Sequence, residues 1–155
     1  MRIGTDTPAS RQRGVAMVEF AIALPVLLLL MLATAELGRM LSQYNTLTQA
    51  VRDGVRYAAS AAVVGSTGVI YVTPAVQSSV ANLVATGTVD GSGAPLLPGL
   101  TAADVTVTDA GNDYVSVTAS YPYEPMVGAT LPTFGLGSPI PLNVTLTAAS
   151  LMRAL

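Results

Sequence analysis

Hydrophobic and polar positions alternate in three different rhythms along this chain, and each rhythm predicts a different element. Residues 1–14 are polar, with Arg2, Arg11 and Arg13. Residues 15–35 are then almost continuously apolar, with Glu19 as their single charge. At 1.5 Å per residue, a helix of that length spans roughly 30 Å, the hydrocarbon thickness of a bilayer. From residue 36 to 60 the run gives way to a stripe: Leu37, Leu41, Tyr44, Leu47, Val51, Val55 and Ala58 recur every three or four residues. That is the spacing of one helix face. Glu36 and Arg39, and likewise Asp53 and Arg56, lie three apart and can share a face. Gly38 and Gly54 weaken local helicity. The stripe predicts packing under a head or against a partner helix.

Beyond residue 62 the rhythm shortens. Thr73 and Pro74 form a helix start, with Thr as cap and Pro at the first helical position. Val76, Val80, Leu83 and Val84 make one stripe, and Gly87 marks the end. Residues 88–99 are loop by their Gly, Pro and Asp content. Period-two alternation then predicts strands over 104–108 and 114–121, with 109–113 as the hairpin loop between them. Residues 121–142 hold five prolines and read as a long surface connection. A last strand begins in 143–147 and runs toward Met152. The fold class expected is α+β and pilin-like: a long N-terminal transmembrane helix continuing into a small antiparallel sheet head with one short helix. The expected division is a basic leader over 1–14, a transmembrane and amphipathic helix over 15–62, and an extracytoplasmic head over 63–155.

Composition narrows the function. Apolar residues make up 51% of the 155 and charged residues only 10%, against about a quarter charged in ordinary soluble domains; part of the chain is therefore expected in lipid. There is no Cys, His, Lys or Trp. Thiolate metal sites, His- or Lys-activated nucleophiles and Schiff-base chemistry are thereby excluded, and we expect no enzymatic activity and no cofactor. Between Arg56 and Arg153 lie five acids and no base, so the distal part has no electrostatic footprint for nucleic acid. Asp109, Asn112 and Asp113 cluster in one loop with oxygen ligands, but their spacing fits no EF-hand and a tight turn wants the same residues. No metal site is expected there.

Glu19 is the residue the apolar run has to explain. A carboxylate within a membrane span costs roughly 2.5–3.5 kcal/mol on insertion scales, less near an interface. Such a residue is read first as functional, with snorkelling to the headgroups as the plain alternative. The basic start, apolar run and small residues Ala33, Thr34 and Ala35 also outline a secretory signal released before Glu36. Its apolar part is longer than usual, and helical sequence continues past it.

The stretch from Arg13 to Leu30 resembles the class III signal of type IV pilin-like proteins. In that pattern a basic leader ends in Gly, here Gly14, and the fifth mature residue is Glu, here Glu19. The match extends through Val18-Glu19-Phe20, Leu24-Pro25, Glu36-Leu37-Gly38-Arg39, Ala50-Val51-Arg52-Asp53-Gly54 and Arg56-Tyr57-Ala58-Ala59, and so resembles the N-terminal region of TadE-like proteins. Asp53 stands where that family more often has Glu. The resemblance implies a minor pseudopilin of a tight-adherence (Flp-type) pilus machine. It implies cleavage between Gly14 and Val15 by a prepilin peptidase, and an assembly role for Glu19 and Phe20, with Glu19 meeting the free amine of a neighbouring subunit. Pro25 would kink the same helix. Implied partners are the peptidase, other pseudopilins or pilins, the assembly platform and inner-membrane lipid. The topology implied is single-pass, with the N-terminus cytoplasmic and the head outside; the positive-inside rule adds a mild push the same way, since arginines flank both ends of the span.

Overall fold

A computed structural model describes residues 9–62, 71–135 and 137–154, with side chains from residue 14 onward. Most of the basic leader, residues 1–8, lies outside the described residues, as do 63–70 at the start of the head.

Helix α1 runs from Ala9 to Ala61 without interruption, through Gly14 and through Pro25. Pro25 lacks an N–H, so the bond to the carbonyl four residues back is missing there. The helix is long and apolar enough to cross a membrane, and its most apolar window is not buried at all. Helix α2, Pro74–Thr86, starts and stops on the residues its sequence advertises. Thr73 Oγ1 accepts from the Val76 N–H at 3.2 Å, and Gly87 closes the helix in the left-handed region at φ 76°, donating its N–H to Leu83 O.

A short 3-10 turn, Ala102–Asp104, leads into strand β1, Val105–Gly111. Strands β2, Tyr114–Pro122, and β5, Thr145–Arg153, complete a three-stranded antiparallel sheet in the order β1-β2-β5. Val107 pairs with Val117, and Val117 with Ser150. The hairpin loop is tighter than the expected 109–113. Strand β1 continues through Gly111 past an irregularity between Asp109 and Gly111, and the turn is Asn112-Asp113, both at positive φ. Asx residues tolerate that conformation, which matches the strand twist of a two-residue turn. The proline-rich connection holds one further pairing, β3, Thr130–Leu131, against β4, Ile140–Pro141.

Alternation along β2 buries Val115, Val117, Ala119 and Tyr121 and leaves Ser116, Thr118 and Ser120 outward. The inward side chains join Leu146 and Ala148 of β5, Val80 and Val84 of α2, and Leu47, Val51, Val55 and Ala58 of α1 in one core. The second half of α1 is thus the spine of the head. Gly54 sits where α1 and α2 approach most closely: a Cβ there would lie 2.5 Å from Val84 Cγ2 and 3.4 Å from Val80 Cγ1.

Candidate functional site

The first half of α1 presents its residues outward. Val15, Met17, Val18, Phe20 and Ile22 are all exposed, and a Cβ at Gly14 would meet nothing within 4 Å. Gly14 and Val15 therefore stand open on the helix. Glu19 lies four residues beyond Val15, on the same face. Together with Ile22, Ala23, Val26 and Leu27 it lines a shallow, nearly wholly apolar groove along the helix. No ion pair engages Glu19 among the described residues. Phe20 projects from an adjacent strip of the helix and is also exposed. An acid on an apolar, unfilled surface is costly to keep charged in lipid unless it meets a cation or donor or reaches the headgroups.

The apolar stripe expected over residues 37–58 divides in two. Leu47, Val51, Val55 and Ala58 are buried in the head core, whereas Leu37, Leu41 and Tyr44 are exposed. The two charge pairs divide likewise. Asp53 and Arg56 approach to 3.6 Å on the solvent side. Glu36 instead turns into the protein and is only 3% exposed. Its Oε1 accepts the Met126 N–H at 2.7 Å, and its backbone carbonyl accepts from the Tyr123 hydroxyl at 3.4 Å. This clasp joins the helix to the proline-rich connection at the end of the apolar span. Sequence reasoning missed it, because the donor is a backbone N–H ninety residues away and backbone groups carry no residue-type signal.

Two tyrosines sit beside the clasp. Burial raises the Tyr121 hydroxyl above its ordinary range, Glu124 adds to the rise, and Arg39 opposes it. Burial also raises Tyr123, with Glu36 contributing and Arg39 again opposing. Both phenols stay neutral at physiological pH. Tyr121 Oη and Gln43 Oε1 are buried without a hydrogen-bond partner among the described residues.

The three side chains weighed as oxygen ligands serve the hairpin. Asp109 Oδ1 accepts the Gly111 N–H at 2.8 Å, Asp113 lies 3.5 Å from Arg153 across the sheet end, and Asn112 occupies the turn itself.

Comparison with protein families matches the TadE-like protein model to residues 14–56. The match spans Gly14, Glu19, Pro25, Glu36 and Gly54 and ends inside the spine of the head, so this stretch is similar to the TadE-like family, in agreement with the resemblance read from its motifs up to Arg56. No curated protein and no solved structure matches the chain.

Proposed function

We propose that this chain is a minor pseudopilin-like membrane protein that assists assembly of a tight-adherence (Flp-type) pilus. The observation that carries the proposal is Glu19: an acid on the exposed apolar face of a TadE-like helix, lining a groove that its own chain leaves open. In this reading a prepilin peptidase cuts after Gly14 and Val15 becomes the N-terminus. The helix stays in the inner membrane as a single-pass anchor, with the head outside the cytoplasm. Glu19 then accepts the Val15 amine of a neighbouring pseudopilin or pilin, because in low dielectric a carboxylate is stabilised by a close cation. Phe20 and the groove residues supply apolar packing around that pair, and the exposed Leu37, Leu41 and Tyr44 extend the contact surface beyond the membrane.

The test is the intact mass and N-terminus of the protein from native membranes, followed by Glu19→Ala. A start at Val15 and loss of pili in the variant, with membrane insertion unchanged, are expected. A start at Glu36 identifies a secreted domain and removes the assembly mechanism. A start at residue 1, with equal pilus output from variant and parent, leaves an anchored envelope protein without a pilus role.

A further inference from the structure

The proline-rich connection between β2 and β5 is, we infer, a membrane-contacting foot: it rests on the outer surface of the bilayer that α1 crosses, with Met126 and Ile140 against lipid. The inference depends on α1 being a membrane anchor and adds a second, peripheral contact to it.

Its height on the helix comes from named contacts. The apolar span ends at residue 35, and the Glu36 carboxylate immediately beyond it holds the Met126 N–H at 2.7 Å. Ala33, still inside the span, lines one groove with Glu36, Leu37, Met40, Leu131, Ile140 and Leu142. The connection thus overlaps the last turn of the membrane segment, at the depth where headgroups begin. Residues 125–142 contain no Asp, Glu, Lys or Arg, although the segment is irregular and peripheral. Leu131 is buried, but three other large apolar side chains stand out: Met126 is 68% exposed, Ile140 49% and Phe134 47%. An uncharged, apolar-tipped loop is costly against water and well matched to an interface.

The same composition excludes deeper insertion. Irregular backbone in hydrocarbon leaves N–H and C=O groups without partners, whereas the headgroup layer supplies water and polar atoms. Four prolines between 125 and 142 reduce the number of N–H groups needing such partners. Arg39, one turn past Glu36, adds a cation at the level of lipid phosphate. The Glu36 clasp acquires a purpose in this arrangement, because it sets the depth of the foot relative to the span.

The chain has no Trp, so single-tryptophan variants of the full protein report depth directly. Met126→Trp and Ile140→Trp replace exposed side chains and probe the foot. Leu27→Trp probes the span, and Tyr71→Trp is the distal reference, since the Tyr71 N–H bonds to Ala62 O at the far end of α1. That end is roughly 39 Å beyond Glu36 at 1.5 Å per residue. Each variant is reconstituted in phosphatidylcholine–phosphatidylglycerol vesicles, and quenching is read with lipids brominated near the headgroup or deep in the chain. Blue-shifted emission at 126 and 140, quenched best by shallow bromines, is expected. Deep quenching at 27 and none at 71 complete the pattern. If 27 is quenched deeply while 126 and 140 behave like 71, the foot is wrong and the anchor stands. If 126 and 140 shift only as protein density in the vesicle rises, they contact a second copy and the lipid assignment is overturned. If 27 itself is unquenched, the anchor reading fails and the foot falls with it.

Discussion

The two halves of α1 are both helix and both apolar on at least one face, yet they answer to different surroundings. Before Glu36 the large apolar side chains point outward from every side, and the one charged residue among them has no ion-pair partner among the described residues. After Tyr44 the apolar stripe of Leu47, Val51, Val55 and Ala58 is confined to one face and buried to the last few percent, while the charged residues are exposed. A helix apolar all round belongs in lipid or a large core, and a striped one on a head. One helix here does both, and the stripe at Leu37, Leu41 and Tyr44 is the zone of transition. Periodicity alone therefore does not say which apolar positions are core.

The comparison breaks most directly at Leu47 and Leu41, six residues apart. Leu47 is 0% exposed and Leu41 63%. Leu47→Ala should cost about 2–5 kcal/mol of head stability through lost burial and a cavity. Leu41→Ala should stay within about 0.5 kcal/mol, as exposed substitutions do. Pulse proteolysis of the full chain in detergent micelles measures both. Equal losses would mean that the exposed stripe is packed after all.

Glu36 tests the boundary itself. Glu36→Ala leaves the Met126 N–H without its carboxylate and should cost about 1–3 kcal/mol. Glu36→Gln keeps an oxygen at the same reach and should recover most of that. The readout is protease protection of the 123–142 connection. If alanine and glutamine variants are cut alike, the negative charge, and not the hydrogen bond, holds the clasp.

Much of this arrangement was legible in the sequence, and the failures share one cause. Helix α2 was readable because Thr73, Pro74 and Gly87 act on their immediate neighbours. Strand β2 was readable because Val115, Val117, Ala119 and Tyr121 alternate toward one core. The long apolar helix and the TadE-like motifs of residues 14–56 needed only local sequence. By contrast, Glu36 finds its partner ninety residues away, the β3–β4 pairing rests on two residues per strand between prolines, and the Asp109 to Asp113 stretch serves both an irregular strand end and a turn. Gly54 looks the same as Gly38 in sequence. Only the approach of α2 gives one of them a reason to lack a side chain.

Those two glycines should respond with opposite signs. Gly38→Ala meets nothing within 4 Å, so it should gain about 0.5–1 kcal/mol from helix propensity. Gly54→Ala has the same propensity gain, but its Cβ would lie 2.5 Å from the stiff, buried Val84. Overpacking of that kind costs about 1–3 kcal/mol, so the net change should be a loss on the order of 1 kcal/mol. Unfolding midpoints moving in the same direction for both would show that α2 can shift away from α1 without penalty.

The smallest effect belongs to the tyrosine pair above the clasp, where burial without a partner and burial with one can be separated. Tyr121 Oη has no hydrogen-bond partner among the described residues, while the Tyr123 hydroxyl donates to Glu36 O. Tyr121→Phe removes only an unsatisfied hydroxyl and should leave stability unchanged or raise it by up to about 1 kcal/mol; Tyr123→Phe gives up a bond and should lose about 0.5–1.5 kcal/mol. Alkaline titration distinguishes them from side chains that merely pack. Both phenols are raised in the folded state from an ordinary value of 10.0, so the folded protein binds the proton more tightly than the unfolded chain does. Their contribution is fully present below pH of about 10 and is lost as pH rises through the folded values. The unfolding midpoint should therefore hold steady through neutral pH and fall only above that point, and the double variant Tyr121→Phe with Tyr123→Phe should flatten the fall. A parent protein whose midpoint falls no more steeply above pH of about 10 than that of the double variant would mean that these hydroxyls face water and bind the proton no more tightly folded than unfolded, and that the head does not close over Glu36 as tightly as its 3% exposure requires.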